Sequence, residues 1–286
     1  MNLRFSKDVR DHGALREAYN ALTEKTFGFS FEPWYRMGCW GDFHVPYTLF
    51  DNGRAVANVS VNRMEILCEG AVRPCFQLGT VMTDPAYRRR GLSRRLMEEV
   101  LQDCRGAPVF LFANESVLDF YPRFGFQKRE QHRFYLRPEK ALGLGKRLDM
   151  ATPRDREMLL DYYKRGNPFS RIQAVNGEGL LMFYCAGSMA RCVRFLPDFD
   201  AVVIGEQEGE TFCCFDVFCG EGYALPDLLA AAAAPGTRRA CPAFTPRDAA
   251  PFETRLIPGE EDALFVLDSG GLFDWTPLLF PVISHT

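Results

Sequence analysis

The spacing of apolar side chains in the first third of the chain predicts one helix followed by three strands. Across Val9–Phe27, apolar residues recur at helical intervals and would lie near one face. Two short apolar runs, Tyr47–Phe50 and Ala55–Val61, flank an Asp-Asn-Gly sequence that is typical of a hairpin turn. A third strand is expected over Cys75–Thr83, because the Asp-Pro step after it disfavours further strand pairing.

Further along, a helix and a buried strand follow one another. After Gly91, apolar residues form one stripe with acidic residues outside it, which predicts an amphipathic helix. Val109–Asn114 (VFLFAN) is typical of a strand that is buried on both faces. Val117–Phe124 is expected to be a short helix ended by Gly125, and Phe126–Leu136 is expected to be extended. Helices and strands therefore alternate through the first half.

The second half begins at a helix-start signature. Thr152 at the cap, Pro153 at the first helical position and Asp155 form this signature, and Ala141–Leu148 before them is expected to connect two units. The elements expected from there on are helices at 153–165, 178–187 and 225–234, and strands at 191–196, 200–206, 211–218, 238–243, 263–268 and 279–284. Their order resembles that of the first half, which indicates a structural duplication without a visible sequence repeat. The expected domains are residues 1–140 and 141–286.

Composition and charge narrow the classes of function. Hydrophobic residues make up 47% and charged residues 25% of the 286 residues, so two cores can be buried. The net charge of −3 disfavours nucleic acid as a partner. Residues 1–140 carry 21 Lys and Arg against 17 Asp and Glu, whereas residues 141–286 carry 13 against 20. An anionic ligand in the first half and random surface variation both explain this difference.

Targeting signals and metal motifs are absent from the sequence. The first 25 residues contain no apolar run typical of a secretory signal, and no stretch approaches the length of a membrane span. We therefore expect a cytoplasmic protein without a membrane partner, in which the ten cysteines are reduced. No Cys-x-x-Cys pair occurs, so no metal site is expected.

The strongest chemical signal lies in Leu78–Leu101, where a strand, a loop rich in Arg and Gly, and a helix follow one another. Backbone N–H groups at a helix start attract an anion, and the helix dipole adds to this attraction. Gly91 allows a close approach of the backbone because it has no Cβ. Five arginines add positive charge there: Arg88, Arg89, Arg90, Arg94 and Arg95. A pyrophosphate fits these features, although neither a Walker A spacing nor a dinucleotide-binding glycine pattern is present.

This stretch resembles motif A of the GNAT superfamily of N-acetyltransferases, whose pyrophosphate loop reads Gln/Arg-x-x-Gly-x-Gly/Ala. Here the loop is Arg88-Arg89-Arg90-Gly91-Leu92-Ser93, in which Ser93 replaces the final Gly or Ala. Phe112–Phe126 (FANESVLDFYPRFGF) resembles the second cofactor segment of the family, with an Asn after the fifth strand and a Tyr before Gly-Phe. The resemblance covers about residues 1–137.

The resemblance implies a fold, a co-substrate and a place for it. The fold would be α/β (α+β), with two tandem GNAT-like domains that each have a mixed, mostly antiparallel twisted sheet flanked by helices. Acetyl-CoA would be the co-substrate, and no metal would take part. Backbone groups of Val81, Met82 and Thr83 would hold its acetyl carbonyl and pantetheine arm, at a splay between the fourth and fifth strands.

The resemblance also implies roles for the loop and for the second segment. The loop from Arg88 through Leu92 and Ser93 to Arg94 would wrap the pyrophosphate, Asn114 would reach the pantetheine, and Tyr121 would protonate the departing thiolate. Structural interpretations remain open beside these roles. An arginine run is often a solvated helix start, Tyr121 is suited to a core, and Asn114 is suited to cap the following helix. The Ser93 hydroxyl would bond a phosphate oxygen or cap its helix.

No residue presents itself as the general base, because the fourth strand (FQLGTVMT) contains no carboxylate. The open candidates are Glu65, Glu115, His44, Asp42, a chain of waters, and the C-terminal carboxylate at Thr286. The last follows from a second resemblance. The order of elements is similar to the tandem domains of the enhanced-intracellular-survival type of aminoglycoside acetyltransferases, which place a C-terminal carboxylate near the reaction centre. The third, sterol-carrier-like domain of that type is missing from this sequence.

The stretch Phe27–Tyr47 has a high density of aromatic residues. The resemblance implies that it lines the acceptor site, with a wall made of Trp34, Tyr35, Trp40, Phe43 and His44. A hydrophobic contact with the second half explains the same residues, and the two interpretations are compatible. The second half has no Arg-rich loop after its strand at 211–218. We therefore expect one CoA site, and a second half that completes the acceptor pocket and the interface.

Together these features predict an enzyme. We expect an N-acetyltransferase that moves an acetyl group from acetyl-CoA to a primary amine of a small molecule or a peptide by direct attack. The alternative is a CoA-binding regulatory or interaction protein without catalysis. The sequence leaves open the amine acceptor, the length of the acyl group, and whether the chain forms a homo-oligomer.

Overall fold

The computed structural model describes residues 2–258, 262–268, 270–271 and 273–285. Its helices are α1 (Gly13–Phe27), α2 (Glu32–Arg36), α3 (Leu92–Asp103), α4 (Pro153–Tyr163), α5 (Glu178–Cys185) and α6 (Leu225–Ala232). Its strands are β1 (Leu3–Ser6), β2 (His44–Asp51), β3 (Arg54–Cys68), β4 (Ala71–Thr83), β5 (Val109–Ala113), β6 (Gln127–Arg129), β7 (His132–Tyr135), β8 (Lys146–Arg147), β9 (Ile172–Ala174), β10 (Val193–Leu196), β11 (Ala201–Glu208), β12 (Thr211–Cys219), β13 (Arg239–Pro242), β14 (Glu253–Leu256) and β15 (Ala263–Leu267). Within these residues, no helix has the length and apolar character needed to cross a bilayer.

Two sheets organise the fold. The first has the order β1-β2-β3-β4-β5-β15-β6, with β9 also paired to β3, and the second has the order β13-β12-β11-β10-β8. Most neighbours are antiparallel, and each sheet contains one parallel pair, β4 with β5 and β12 with β13. The expected mixed, mostly antiparallel sheets flanked by helices are therefore confirmed.

Strands cross the boundary expected at residue 140. β15, from the second half, lies between β5 and β6 of the first sheet and pairs with both. In return, β7 of the first half pairs with β14, and Leu136 forms a bridge to Ala240 beside the second sheet. The first half does not build its sheet alone, because β9 and β15 come from residues 141–286. The division into residues 1–140 and 141–286 therefore stays a prediction.

The composition of β15 explains its central position. Its sequence, ALFVL, is apolar on both faces, and Leu264 and Phe265 are 0% and 2% exposed. A strand without polar side chains is stable only where helices or loops cover both faces of the sheet. β6 has only three residues and is partly exposed, so it remains at the edge.

The first sheet is covered differently on its two faces. One face packs on α3 through Leu96, Met97 and Val100, all 0% exposed. The other face packs on α1 and α2 through an aromatic cluster that also contacts Phe183 of α5. Two further apolar clusters lie around the second sheet and its helices. The two faces of the first sheet are therefore covered by separate apolar clusters, one around α3 and one around α1 and α2.

Several expected elements differ from the observed ones. The expected strand at 279–284 is wrong, because Val282–Ser284 form a 3-10 turn directly after Pro281. The expected helix Val117–Phe124 is replaced by two 3-10 turns, Glu115–Val117 and Tyr121–Phe124, the second of which has Pro122 in its first turn. β1 and α2 were not predicted, since four or five residues carry too little periodicity to identify. The helix start at Thr152 is confirmed, because its hydroxyl accepts a hydrogen bond from the Asp155 backbone N–H at 3.3 Å.

Candidate active site

β4 and β5 diverge in the middle of the first sheet. They pair only at Phe76–Val109, Gln77–Phe110 and Leu78–Leu111. Beyond these positions, no described strand pairs with this edge of β4, which continues to Thr83. The chain thus opens a gap between two parallel strands, where the backbone N–H and C=O groups of one strand face a space large enough for a ligand.

A bulge marks the start of the gap. The register between β3 and β4 shifts between Gly79 and Met82, and Thr80 has a φ of +47°. Such a left-handed conformation is costly for a residue with a Cβ, and bulges of this kind redirect side chains near active sites. Val81 packs against the α3 side, whereas Met82 is buried on the aromatic side. Val81, Met82 and Thr83 therefore do run along the open edge of β4, as expected.

The Arg-rich loop connects this edge to α3. The Asp84 carboxylate accepts a hydrogen bond from the Ala86 N–H at 2.9 Å and fixes a 3-10 turn over Pro85–Tyr87. Arg89 and Gly91 both have left-handed backbones, with φ of +60° and +76°. Gly91 is the N-cap of α3 and provides no side-chain cap, so the first N–H groups of α3 stay available to an anion.

The loop arginines surround that helix start. All five side chains are exposed: Arg88, Arg89, Arg90, Arg94 and Arg95. Arg90 stacks 5.3 Å from the Tyr87 ring centroid. In the described part of the chain, Arg89, Arg94 and Arg95 form no salt bridge, so their positive charge is not neutralised by neighbouring carboxylates. The loop thus combines open N–H groups with free cationic charge.

Ser93 and the segment after β5 form the walls of a cavity beside the loop. The Ser93 hydroxyl lies 2.7 Å from the Thr83 hydroxyl, so it joins α3 to the end of β4 rather than capping the helix. A cavity of about 260 Å³ is lined by Ser93, Ser116, Val117, Asp119, Phe120 and Arg123. Segments from both sequence motifs therefore meet around one space.

Asn114 adopts the structural role that the sequence left open. Its Oδ1 accepts a hydrogen bond from the Ser116 N–H at 3.1 Å and another from the Ser116 hydroxyl at 2.5 Å. Asn114 therefore caps the turn Glu115–Val117. Its side chain is exposed, and its Nδ2 has no hydrogen-bond partner among the described residues.

Tyr121 is held in an apolar environment. Its side chain is 3% exposed, and its ring lies 5.8 Å from that of Phe265 and 6.1 Å from that of Phe126. Burial raises the pKa of its phenol to about 12, so the group stays protonated near neutral pH. No described residue accepts a hydrogen bond from its hydroxyl. A rigid ring with an uncommitted proton has the properties of a general acid.

An aromatic cavity of about 180 Å³ lies on the opposite face of the first sheet. It is lined by Phe27, Phe29, Phe31, Trp34, His44, Thr80, Leu180 and Phe183. The Trp34 indole N–H donates to the Gly179 carbonyl of α5 at 2.7 Å, which joins the two halves. Thr80 places this cavity next to the bulge of β4. The expected contact with the second half is therefore present, and so is a cavity beside it.

Not every aromatic residue of that stretch reaches the cavity. Trp40 is 3% exposed and donates its indole N–H to the His44 carbonyl at 3.0 Å. The Arg16 guanidinium lies over the ring of Tyr35, with its Cζ 3.6 Å from the ring centroid. Conversely, Phe183 and Leu180 line the cavity although no feature of the sequence predicted this. They belong to α5, which lies more than 130 residues beyond the aromatic stretch Phe27–Tyr47.

His44 starts a buried chain of polar groups under the cavity. Its Nδ1 lies 2.6 Å from Asn62 Oδ1, and Asn62 donates its Nδ2 to the Gln77 carbonyl at 3.3 Å. The His44 proton is therefore on Nδ1, and Nε2 is a hydrogen-bond acceptor. The Tyr19 hydroxyl lies 3.5 Å from that Nε2 and 3.3 Å from Ser60 Oγ. Burial lowers the pKa of His44 to about 4, so the ring is neutral near pH 7.

The other base candidates lie elsewhere. Asp42 forms a salt bridge with Arg10 at 2.5 Å, and its side chain is 88% exposed. Glu65 pairs with Pro74, six residues or about 20 Å along β4 from Thr80. Glu115 is exposed on the turn that Asn114 caps. Thr286 lies outside the described residues, and the residue before it, His285, stacks on Phe112 of β5.

Comparison with known proteins identifies the class. Residues 15–129 match the family model described as an acetyltransferase (GNAT) domain. N-alpha-acetyltransferase RimI of Mycobacterium tuberculosis is 36% identical over 81 residues, which is 27% of this chain. The match spans about half, 51%, of that relative. The first half of this chain therefore contains a domain of the GNAT acetyltransferase family.

Solved structures extend the similarity to nearly the whole chain. A probable N-acyltransferase from Enterococcus faecalis covers 93% of this chain and 72% of its own, with a TM-score of 0.62 and 16% identity. Eis1 of Mycobacterium abscessus covers the same shares with a TM-score of 0.57 and 16% identity. A GCN5-related N-acetyltransferase from Kribbella flavida has a TM-score of 0.60 at 14% identity, and the match covers 93% of this chain and 71% of that protein. At such identities the comparison establishes the fold alone, which this chain shares with these three proteins over nearly its whole length.

Proposed function

We propose that this chain transfers an acetyl group from acetyl-CoA to a primary amine of a small molecule or a peptide. One observation carries the proposal. The gap between β4 and β5 has the Arg-rich loop and the 260 Å³ cavity at one side, and the aromatic cavity at the other. Thr80 and the residues after it lie between the two. An anionic donor and an amine can thus approach one strand edge from opposite faces of the sheet.

The residues at this gap suit the parts of acetyl-CoA. The open N–H groups at the start of α3, with Arg89, Arg90 and Arg94 beside them, would hold the pyrophosphate. The free Nδ2 of Asn114 would donate to a pantetheine amide. Acetyl-CoA supplies an acetyl group activated as a thioester. Backbone N–H groups of Val81–Thr83 would donate to its carbonyl oxygen, and one such donor contributes about 10²–10³ in rate.

Proton movement requires two groups with opposite tasks. Tyr121, whose proton is retained to high pH, would donate to the leaving sulfur. The amine must arrive unprotonated to be a nucleophile. We propose that His44 accepts a hydrogen bond from it through the neutral Nε2, because its pKa of about 4 suits an orienting acceptor better than a store for a full proton. The proton that nitrogen loses as the amide forms would pass to solvent, and solvent would return a proton to the Tyr121 phenolate.

The amine class follows from the acceptor cavity. Its wall is aromatic, and its few polar groups include His44 and Thr80. Such a wall favours an amine carried on a hydrocarbon or aromatic body, since ring faces attract both cations and apolar groups. A volume of about 180 Å³ accommodates the end of an acceptor rather than a large one in full.

The test is isothermal titration of acetyl-CoA into the protein and into an Arg90→Ala/Gly91→Asp variant. The matched control is Arg105→Ala/Gly106→Asp at the other end of α3. Arg105 is also exposed, and Gly106 is also left-handed (φ +85°) with open space around it. Binding that is lost in the first variant and kept in the second supports the cofactor site. Equal binding in all three proteins, or none in the unaltered one, overturns it.

Turnover separates the enzyme from its alternative. Release of free thiol from acetyl-CoA in the presence of a panel of primary amines is expected for the transferase. Binding of acetyl-CoA without amine-dependent thiol release would instead identify a CoA-binding protein without catalysis.

A further inference from the structure

A third cavity, of about 520 Å³, lies mainly in the second half of the chain. It is lined by the end of α4, by β9, by the first turns of α5 and by the end of β12. Leu180 of α5 lines this cavity and the aromatic cavity, so α5 is part of the wall between them. The volume is within the range of sites for small molecules, about 300–1,000 Å³.

The position of this cavity in the second sheet corresponds to that of the candidate active site in the first. The parallel pairing of β12 with β13 ends at Cys214, whereas β12 continues to Cys219 in pairing with β11 only. Asp216 lies two residues beyond the last pair, as Thr80 lies two residues beyond the last pair of β4. The register between β11 and β12 also shifts at this point. Both sheets therefore open next to a bulge, and in the second sheet the opening contains a carboxylate.

Asp216 has an incomplete set of partners. Its Oδ1 accepts hydrogen bonds from Asn167 Nδ2 at 2.5 Å and from the Val217 N–H at 2.9 Å. Among the described residues, Oδ2 has no donor, and no Lys or Arg forms a salt bridge with this carboxyl. A carboxylate that is enclosed by protein normally has a cation beside it, because burial without one is costly.

The cations that line the cavity are engaged elsewhere. Arg165 forms a salt bridge with Asp200 at 2.6 Å, and Lys164 lies 3.3 Å from Asp161. Arg247 donates its Nε to the Ser170 carbonyl at 3.0 Å. Among the described residues, none of these three cations is therefore paired with Asp216.

Besides its polar side chains, the wall of the cavity has an apolar part. Ile172, Leu180, Leu181 and Phe218 contribute hydrocarbon surface, each less than 5% exposed. The Tyr163 hydroxyl donates to the Ala174 carbonyl and accepts from the Gly177 N–H at 2.8 Å, so it is already satisfied. A ligand that fits has one cationic end and a hydrocarbon body.

We propose that this cavity binds a small organic amine in its ammonium form, with the Asp216 carboxylate as counter-ion and the apolar wall against its hydrocarbon chain. The site has no Arg-rich loop, since Gly220–Tyr223 follow β12, so it does not resemble a second pyrophosphate site. This inference is independent of the proposed transferase activity.

The charge state of Asp216 provides a specific signature. Burial raises its pKa to about 7. The titratable and charged groups around it are Tyr163, Lys164, Arg165, Glu178, Cys185, Cys214, Cys219, Glu221 and Arg247. Burial raises the pKa of the tyrosine and the three cysteines, which keeps them neutral between pH 6 and pH 8. An amine with a pKa above 10 stays charged over the same range. The pH dependence of its affinity therefore reports the ionisation of Asp216.

The experiment titrates n-pentylamine into the full chain and into Asp216→Asn, with pentan-1-ol as the neutral analogue. Asp198→Asn, which removes one exposed carboxylate on the same half, is the matched control. We expect binding of the amine but not of the alcohol. Affinity should fall at least about tenfold in Asp216→Asn. From pH 8 to pH 6 the affinity of the unaltered protein should also fall about tenfold, as the carboxylate becomes protonated.

The folding of Asp216→Asn is checked by thermal unfolding. Because the folded-state pKa is raised, ionisation above pH 7 opposes folding, so the Asn variant should melt higher than the unaltered protein at pH 8. Amine binding that is equal in the two proteins overturns the proposal, since it places the amine elsewhere, including the aromatic cavity. Absence of binding to the unaltered protein, or equal affinities for amine and alcohol, overturns it as well.

Discussion

Tyr121 illustrates how one residue combines packing with chemistry. Its ring is enclosed by Phe126 of its own segment and by Phe265 of β15, while its hydroxyl has no acceptor among the described residues. Most buried phenols find a hydrogen-bond partner, because an unmade bond costs about 1–3 kcal/mol. A hydroxyl without a partner in the described part of the chain is free to donate to a ligand, which is the role proposed for Tyr121.

At this scale we expect Tyr121→Phe to lower kcat about 10²–10⁴-fold, which is the usual contribution of a general acid. KM for acetyl-CoA should change little, since the ring and its contacts are kept. The pKa of about 12 also predicts that kcat shows no loss from deprotonation of this phenol between pH 7 and pH 10. Steady-state thiol release is the measurement, with Tyr223→Phe on the exposed surface as control. A Tyr121→Phe enzyme with unchanged kcat would remove this residue from the mechanism.

At the scale of elements, α5 decides the shape of the acceptor cavity. Gly179 lies in its first turn, and a Cβ there would be 2.5 Å from Phe43 Cε1 and 2.6 Å from the Cys39 carbonyl oxygen. Since a backbone atom is among these contacts, α5 can approach the segment between α2 and β2 this closely only because residue 179 is Gly. The hydrogen bond from Trp34 to the Gly179 carbonyl depends on the same approach.

We therefore expect Gly179→Ala to displace α5, to lower stability by about 1–3 kcal/mol, and to raise KM for the amine. Gly13→Ala is the matched control, because Gly13 also begins a helix and has nothing within 4 Å of an added Cβ. That variant should be neutral or slightly stabilising, by up to about 1 kcal/mol. The measurements are the free energy of unfolding in urea and the KM for the amine, compared between the two variants. Equal behaviour of the two would mean that α5 is not held by this contact.

At the scale of the molecule, the exchange of strands makes the halves interdependent. β15 completes the first sheet and places Phe265 against Tyr121, whereas β7 leaves the first half to pair with β14. Residues 1–140 alone would have unpaired edges on β5 and β6 and would lose five apolar residues from the centre of the sheet. Exposed strand edges of this kind pair with other chains and aggregate.

We expect a fragment of residues 1–140 to be insoluble or without dispersed amide resonances, and not to bind acetyl-CoA. Co-expression with residues 141–286 should restore a soluble complex, because β15 is then supplied in trans. The measurements are amide NMR dispersion and isothermal titration. A fragment 1–140 that is folded and binds acetyl-CoA by itself would show that β15 is dispensable.

The sequence alone predicted most of the local elements and a candidate anion site. Periodicity identified α3 between Gly91 and Asp103, because an apolar stripe on a helix repeats within a few residues. The Arg-rich loop and the segment to Phe126 predicted the side on which a cofactor would bind, since the groups that would contact one phosphate come from consecutive residues. Gly91, with its left-handed backbone at the N-cap, has the conformational role that its residue type predicts.

Only the tertiary structure decided what depends on distant residues. The insertion of β15 between β5 and β6 involves pairing across more than 130 residues, and a short apolar strand has no local feature that specifies its partner. The joining of Leu180 and Phe183 to Trp34 and His44 depends in the same way on which elements pack together. The sequence does not distinguish Asp216 from any other carboxylate in a strand. Only the divergence of β12 and β13 shows that it lies at a cavity. Local geometry is encoded by neighbouring side chains. The set of residues that line a cavity instead depends on which surfaces are buried against each other.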